Sequence, residues 1–163
     1  MRRPAPSASR TPISFARAAV RVRRPVWALA LVLVAWAGLY SIAAPRLATA
    51  RVNDAYAEID RGSVEKAVSE AKSAHSLNPL SIDPLEAWAS AEELRNHIKK
   101  ARELYVQAVE LQPLNWAAWY ELGRFDQEVL GDNVAAKREL GRAIELDPFG
   151  CPARQALRQP CPD

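Results

Sequence analysis

Histidine, cysteine and methionine are nearly missing from this 163-residue chain, which has two, two and one of them. His75 is expected on a helix and His97 in a turn, and neither has a ligand partner at metal-binding spacing, so no zinc site is expected. A Gly-rich phosphate loop, a Gly-x-Ser-x-Gly elbow and a paired-histidine motif are absent as well. The Asp and Glu residues scatter as they do on solvated helix faces, and the adjacent Glu92 and Glu93 would point apart on a helix. These absences remove the common routes to catalysis: the chain is expected to be no enzyme and to need no cofactor or metal.

Acidic residues are missing from the N-terminal stretch, and charge of either sign from the stretch that follows. Arg2, Arg3, Arg10, Arg17, Arg21, Arg23 and Arg24 precede the first acid, Asp54, while the other 15 Lys and Arg face 19 acids. The basic pI of 9.1 therefore describes the tail rather than the whole. Residues 1–25, with Pro4, Pro6, Pro12, Ser7, Ser9 and Ser14 among the arginines, carry too little apolar surface to fold and are expected to be a disordered cytoplasmic tail. Attraction to anionic inner-leaflet lipid is the role this charge implies, and nucleic-acid binding is not expected.

Residues 26–44 are uncharged and almost wholly apolar, and as a helix they would reach about 28 Å, close to the hydrocarbon thickness of a bilayer. Trp27 and Tyr40 lie near the ends, where amphipathic rings favour the headgroup region. Seven arginines ahead of the run against Arg46 and Arg51 behind it predict a single pass with the N-terminus in the cytoplasm and the remainder outside. A cleaved signal peptide is the competing reading, because Ala48-Thr49-Ala50 supplies small residues for a peptidase. Signal cores run about 7–15 residues, however, and this one is longer and stops at Pro45-Arg46, so a retained anchor is expected.

What the chain has in abundance is alanine in a recurring order. Ala67, Ala71, Ala74, Leu77 and Pro79 are followed by Ala101, Tyr105, Ala108, Leu111 and Pro113, then by Ala136, Leu140, Ala143, Leu146 and Pro148. The prolines are 34 and 35 residues apart, a period typical of stacked helix pairs. Residues three and four apart share a helical face, so each alanine set forms a close-packing seam, and each proline closes its unit.

Residues 48–148 resemble the tetratricopeptide repeat family. In the third copy Trp119, Leu122 and Gly123 match the first helix and Ala136, Leu140, Ala143 and Pro148 the second; this copy is one residue long, which predicts an insertion near Gly131. The second copy matches through Leu85, Trp88, Ala89, Ala101, Tyr105, Ala108 and Pro113. The first departs, with Arg51 and Asp54 where bulky apolar residues are usual, though Ala55, Ala67, Ala74 and Pro79 fit. The resemblance implies an all-α short solenoid of three helix pairs, about 48–79, 82–113 and 116–148, with helices near 47–60, 63–76, 84–95, 98–111, 115–130 and 133–146. A C-terminal tail of residues 149–163 follows, with a short helix near 153–158 and the last pair weakly capped or covered by another protein.

Local signals agree with these bounds. Gly62 and Gly131 break the turns within pairs, Asp83-Pro84 reads as a cap followed by a first-turn proline, and Asn115 and Asp132 are caps. Trp88, Trp116, Trp119, Tyr105 and Phe125 are expected in the core. A narrower resemblance, carried by Ser76-Leu77-Asn78-Pro79-Leu80-Ser81, Leu111-Gln112-Pro113, Trp119-Tyr120-Glu121-Leu122-Gly123 and Ala143 to Pro148, is to the repeat-bearing tails of bacterial O-antigen ligase-type membrane proteins. It implies a detached accessory module of surface-polysaccharide assembly. The arginine excess over lysine, 17 to 5, with abundant alanine resembles proteins of GC-rich bacteria.

The family's groove positions fall on Val52, Tyr56, Glu86, Ser90, Glu93, Tyr120, Arg124 and Gln127. The Lys and Asn residues that family members use to clamp a C-terminal carboxylate are missing there, so chaperone-tail binding is not expected. The mixture fits an extended peptide or a partner helix with some positive charge. Cys151 and Cys161 can close a disulfide in an oxidising compartment or remain free or lipid-modified thiols. The function these features imply is a membrane-anchored module holding a protein or peptide partner at the outer face of a bacterial cytoplasmic membrane. The alternative is a secreted or anchored structural subunit that stacks in a larger envelope complex without a transferable ligand.

Overall fold

The structure, a computed structural model, describes residues 24–162. All but the last two residues of the basic tail, and with them the expectation of disorder, lie outside the described residues. Seven helices follow in order: α1 Arg24–Asp60, α2 Val64–Leu77, α3 Asp83–Leu94, α4 Ile98–Leu111, α5 Trp116–Glu128, α6 Asn133–Leu146 and α7 Pro152–Ala156; no strand occurs among the described residues. They divide between two units, Met1–Leu39 and Tyr40–Asp163.

In the first unit the apolar part of α1 keeps Trp27, Leu31, Val34 and Trp36 exposed on successive faces. An 18-residue window here has mean hydropathy 1.9, long and apolar enough by composition to cross a membrane. Residues 26–44 and 47–60, expected as two helices parted at Pro45, form one. A helix-interior proline removes one backbone bond and costs about 3 kcal/mol, which the neighbouring turns absorb here. The Thr49 hydroxyl donates to the Pro45 carbonyl at 3.1 Å.

The second unit stacks three helix pairs: the C-terminal half of α1 with α2, α3 with α4, and α5 with α6. Each pair turns at a residue with positive φ, Gly62 at 74°, Asn96 at 60° and Gly131 at 67°, spaced by the repeat period. Glycine and asparagine tolerate this region at least cost, so Asn96 does in the second copy what glycine does in the others. Closing bonds run from Ser63 N to Glu58 O and from His97 N to Glu92 O, five residues back, but from Asp132 N to Asp126 O, six back. The extra residue of the third copy therefore lies just before Gly131. Asn115 caps α5 by accepting from Ala117 N, and Asp132 caps α6 by accepting from Val134 N and Ala135 N. Asp83 does not cap α3. It is the first helical residue after Ile82, its carboxylate accepts from the Ser81 hydroxyl at 3.1 Å, and Pro84 follows in the first turn.

The alanine seams are where the helices touch. Ala55, Ala67, Ala71, Ala74, Ala87, Ala89, Ala91, Ala101 and Ala108 have no exposed surface. Tyr105 and Phe125 fill the middle, with ring centroids 5.2 Å apart. Trp88 is half-buried where three apolar clusters meet, donates its indole N–H to Glu92 at 2.9 Å, and lies under the Lys72 ammonium at 4.8 Å. Trp119 is also half-buried and donates to the Pro113 carbonyl. Trp116 leaves the expected core and packs its ring against Tyr120, centroids 6.3 Å apart.

Three carboxylates overturn the expectation that all acids are solvated. Glu92 is buried and receives bonds from Trp88, His97 Nδ1 at 2.7 Å and Arg95. Its pKa is lowered: these partners outweigh the opposing effect of burial. Asp126 is wholly buried, with Arg102 Nε and Nη2 reaching its two oxygens at 2.9 and 2.7 Å across the α4–α5 contact. Glu139 is buried beside it, 3.9 Å from Arg102 Nη2 and 3.1 Å from Arg138 Nη2. Burial first, then the Asp126 charge, pushes the Glu139 pKa up to about 7. Charges this deep persist only when paired, so sequence periodicity alone reads them as surface.

α7 covers the open end of the last pair. Ala153 is buried against Leu140 and Ala143, with Ala156 and Leu157 beside it. A disulfide joins Cys151 and Cys161, Cα atoms 5.3 Å apart, and closes the loop containing α7.

Two outcomes follow from this packing. A Cβ on Gly123 would stand 2.8 Å from Leu140 Cγ and 3.0 Å from the Leu140 backbone nitrogen, and backbone cannot yield. Gly123→Ala is therefore expected to lower stability by about 1–2 kcal/mol despite the helix propensity of alanine, read as a lower urea midpoint. Because the native state raises the pKa of Glu139 above its unfolded value near 4.5, it binds an extra proton in between. Its contribution is most favourable at acid pH and is lost as pH rises toward 7. Glu139→Gln should remove that slope and raise stability at pH 8 by about 1–2 kcal/mol, checked by thermal melts from pH 5 to 8.

Candidate functional site

The first helices of the three pairs line one face of the stack, and their polar side chains converge there. Tyr56 comes from α1, Glu86, Ser90 and Glu93 from α3, and Arg124 from α5. Tyr56 is 40% exposed and opens to solvent. Burial first, then the charges of Glu86, Tyr105, Glu121 and Asp83, raises its phenol pKa, which places all of these groups around one patch. Ser90 Oγ lies 3.3 Å from the Tyr105 hydroxyl, so the buried Tyr105 brings its polar tip to the base of the same face. Burial pushes the Tyr105 phenol up to about 12.

Glu86 is the most perturbed acid on this face. Among the described residues nothing hydrogen-bonds its buried Oε1. Burial, with the like charges of Glu121 and Asp83, pushes its pKa up to about 7. The pKa of Glu93 is raised by burial too, partly offset by Arg124 and reinforced by Glu128 and Glu121. Arg124 Nε donates to Glu121 at 3.0 Å and its Nη1 to Glu128 at 3.0 Å. Burial opposes its charge, but these two partners raise its pKa further. Its charge is thus committed within α5, and the face keeps an excess of carboxylates.

Not all the residues assigned from the sequence meet there. Val52 is only 7% exposed and packs with Ala55, Ala71, Ala74 and Ala87. Gln127 donates through Nε2 to the Ala156 carbonyl at 3.3 Å, and so faces α7. Tyr120 sits between Trp116 and the Leu140, Ala143 and Ala153 cluster. Val52 is thus buried, whereas Tyr120 and Gln127 are half-buried with their contacts toward Trp116 and α7. Conversely, Glu121, Asp83 and the Tyr105 hydroxyl belong to the patch without having been assigned to it. The spacing of Glu121 and Glu128 from Arg124, three before and four after, is the signal that marks that trio as one helical face.

The titratable groups of this face are carboxylates, phenols and a doubly paired guanidinium, and among the described residues no cluster of three His, Cys, Asp or Glu could hold a metal ion. What it offers is a broad polar surface with an uncompensated negative field.

No family model and no curated protein sequence matches this chain. Solved structures do. The first TPR domain of the human RPAP3 protein matches with a TM-score of 0.61 and 21% identity over 70% of this chain and 89% of that one. The first TPR of Spaghetti (RPAP3), solved bound to the HSP90 peptide SRMEEVD, matches with a TM-score of 0.59 and 20% identity over 70% and 90%. The Sgt2 TPR domain from Aspergillus fumigatus gives 0.58 and 24% over 68% and 74%. The fold of the repeat unit is accordingly that of a tetratricopeptide-repeat domain, the short α-solenoid implied by the repeat signature.

Proposed function

We propose that the repeat unit is a protein-binding module whose concave face takes an extended basic segment, and that the apolar part of α1 anchors it to a membrane. The observation that carries the binding reading is Glu86, a carboxylate with an unpartnered buried oxygen amid Glu121 and Asp83, while the nearby cation Arg124 is already bound twice. A lysine or arginine side chain of a partner would supply the missing donor and neutralise the local field. The Spaghetti domain is bound to a peptide ending in Glu-Glu-Val-Asp. Such a segment would meet like charge on this face, so the partner chemistry here is of the opposite sign.

The anchor reading is supported by the exposed apolar surface of residues 27–40 and by the arginine asymmetry across the run. Retention rather than cleavage is supported by burial: a cut after Ala50 would remove Ala44 and Ala48, both buried residues of the second unit. The tail's attraction to anionic lipid belongs to the same reading. The likeness to polymerase tails rests on short strings alone, and the fold adds nothing to it.

Titration of the full chain in detergent with lysine-containing peptides, and with the same peptides carrying norleucine, tests the groove. Glu86→Gln and Glu121→Gln should each weaken binding of the lysine peptides about tenfold, and Glu110→Gln on the exposed face of α4 should not. Because Glu86 must be ionised to hold a cation, affinity should rise as pH passes upward through about 7, and this dependence should vanish in Glu86→Gln. Equal affinity for the lysine and norleucine peptides would overturn the reading. For the anchor, a periplasm-active reporter fused after Asp163 should be active, and an active cytoplasmic reporter there would reverse the proposed topology.

A further inference from the structure

Each turn between repeats carries a large apolar residue directly after its proline. Leu80 follows Pro79, Leu114 follows Pro113 and Phe149 follows Pro148, and they are 73, 77 and 82% exposed. Their spacing of 34 and 35 residues gives them equivalent places in successive hairpins. They share one edge of the repeat unit because helix direction alternates along the stack. Adjacent turns on that edge touch, Gln112 Nε2 donating to the Leu80 carbonyl at 2.7 Å. Single exposed apolar residues are ordinary, but a row at one place in every repeat is a surface. The opposite edge also exposes Leu94, Leu130 and Val134, but these do not recur with the repeat and lie among Arg95 and Asp132.

Within the repeat unit the first helix, which begins there at Tyr40, starts at the same edge as the three turns, because it runs from that edge toward the Gly62 turn. Ala44, Ala48, Val52 and Ala55 form one helical stripe at four-, four- and three-residue steps; all four are buried, Val52 and Ala55 against Ala71, Ala74 and Ala87. Ala44 is also the last residue of the uncharged run. The compact unit that holds the hairpins begins at Tyr40, inside the uncharged run, so no linker residues separate the two in sequence. A helix of the run's length just reaches across the hydrocarbon layer, which puts Ala44 at the level of the headgroups.

We infer that Leu80, Leu114 and Phe149 are lipid-contacting tips that seat this edge of the repeat unit on the bilayer surface from which the chain emerges. The inference rests on the anchor reading above. The occupant is lipid rather than protein because the covalent path places a bilayer surface at this edge, and residues of this kind partition into its interfacial layer. Seating three turns would limit the tumbling of the unit about its tether.

The test uses the full chain in phosphatidylcholine and phosphatidylglycerol liposomes, with Cys151→Ser and Cys161→Ser as background. Single substitutions Leu80→Cys, Leu114→Cys, Phe149→Cys, Leu94→Cys and Val134→Cys carry an environment-sensitive fluorophore. A headgroup nitroxide lipid should quench the first three at least twofold more than the last two. Flotation of the same preparations reports the anchor separately. A chain that does not float overturns the anchor reading and this inference with it, whereas a floating chain with equal quenching at both edges overturns only the inference. Should the cysteine-free background fail to fold, methyl spectra of the unmodified chain in nanodiscs decide. The nitroxide lipid should broaden Leu80 and Leu114 and leave Leu94 and Val134 sharp, and uniform behaviour would overturn the proposal.

Discussion

Backbone proximity at small residues is the constraint on which the repeat unit is built. Helices approach closely enough to bury whole pairs only where one side of the contact has almost no side chain. Alanine supplies this in every copy, and Gly123 carries it to the limit against Leu140. Larger side chains can then be few, and Tyr105, Phe125, Leu104 and Leu140 suffice to fill the spaces left. The turns obey the same economy: one residue with positive φ, glycine twice and asparagine once, reverses the chain within each pair.

Against this apolar frame the charged groups separate into two populations. Glu92 and Asp126 occupy equivalent places in the second and third copies, 34 residues apart; Glu92 is bonded by Trp88, Arg95 and His97, and Asp126 by two nitrogens of Arg102. These acids tie a helix to its neighbours. Those of the first-helix face are only partly buried, repel one another, and leave Glu86 Oε1 without a donor among the described residues. The same side-chain chemistry is structural in one place and exposes an unmet need in the other, and the difference is whether an arginine, a histidine or an indole lies within reach.

The repeat period, the helix pairs, the caps at Asn115 and Asp132 and the one-residue insertion were legible in the sequence because each is a local or periodic property. Pro45 was misleading for the converse reason: its cost is local, but the helix continues through it, with Ala44, Ala48 and Val52 on either side all buried. Among the groove residues, Tyr56, Glu86, Ser90, Glu93 and Arg124 share the open patch. Val52, Tyr120 and Gln127 instead make contacts with α2 and α3, Trp116 and α7, which a repeat alignment does not show. Family positions give a helix and a register, but a side chain's neighbour depends on what packs alongside.

Sequence by itself determined what depends on spacing along the chain: three helical hairpins, an uncharged stretch of spanning length, and the sign of the charge on either side of it. Tertiary structure decided what depends on approach through space, namely which acids are held by Arg102, Arg95 and His97, and which carboxylate oxygen on the open face has no donor among the described residues. Periodicity survives in one dimension, whereas burial and pairing are set by through-space distances of a few ångströms, which the order of residues alone does not encode.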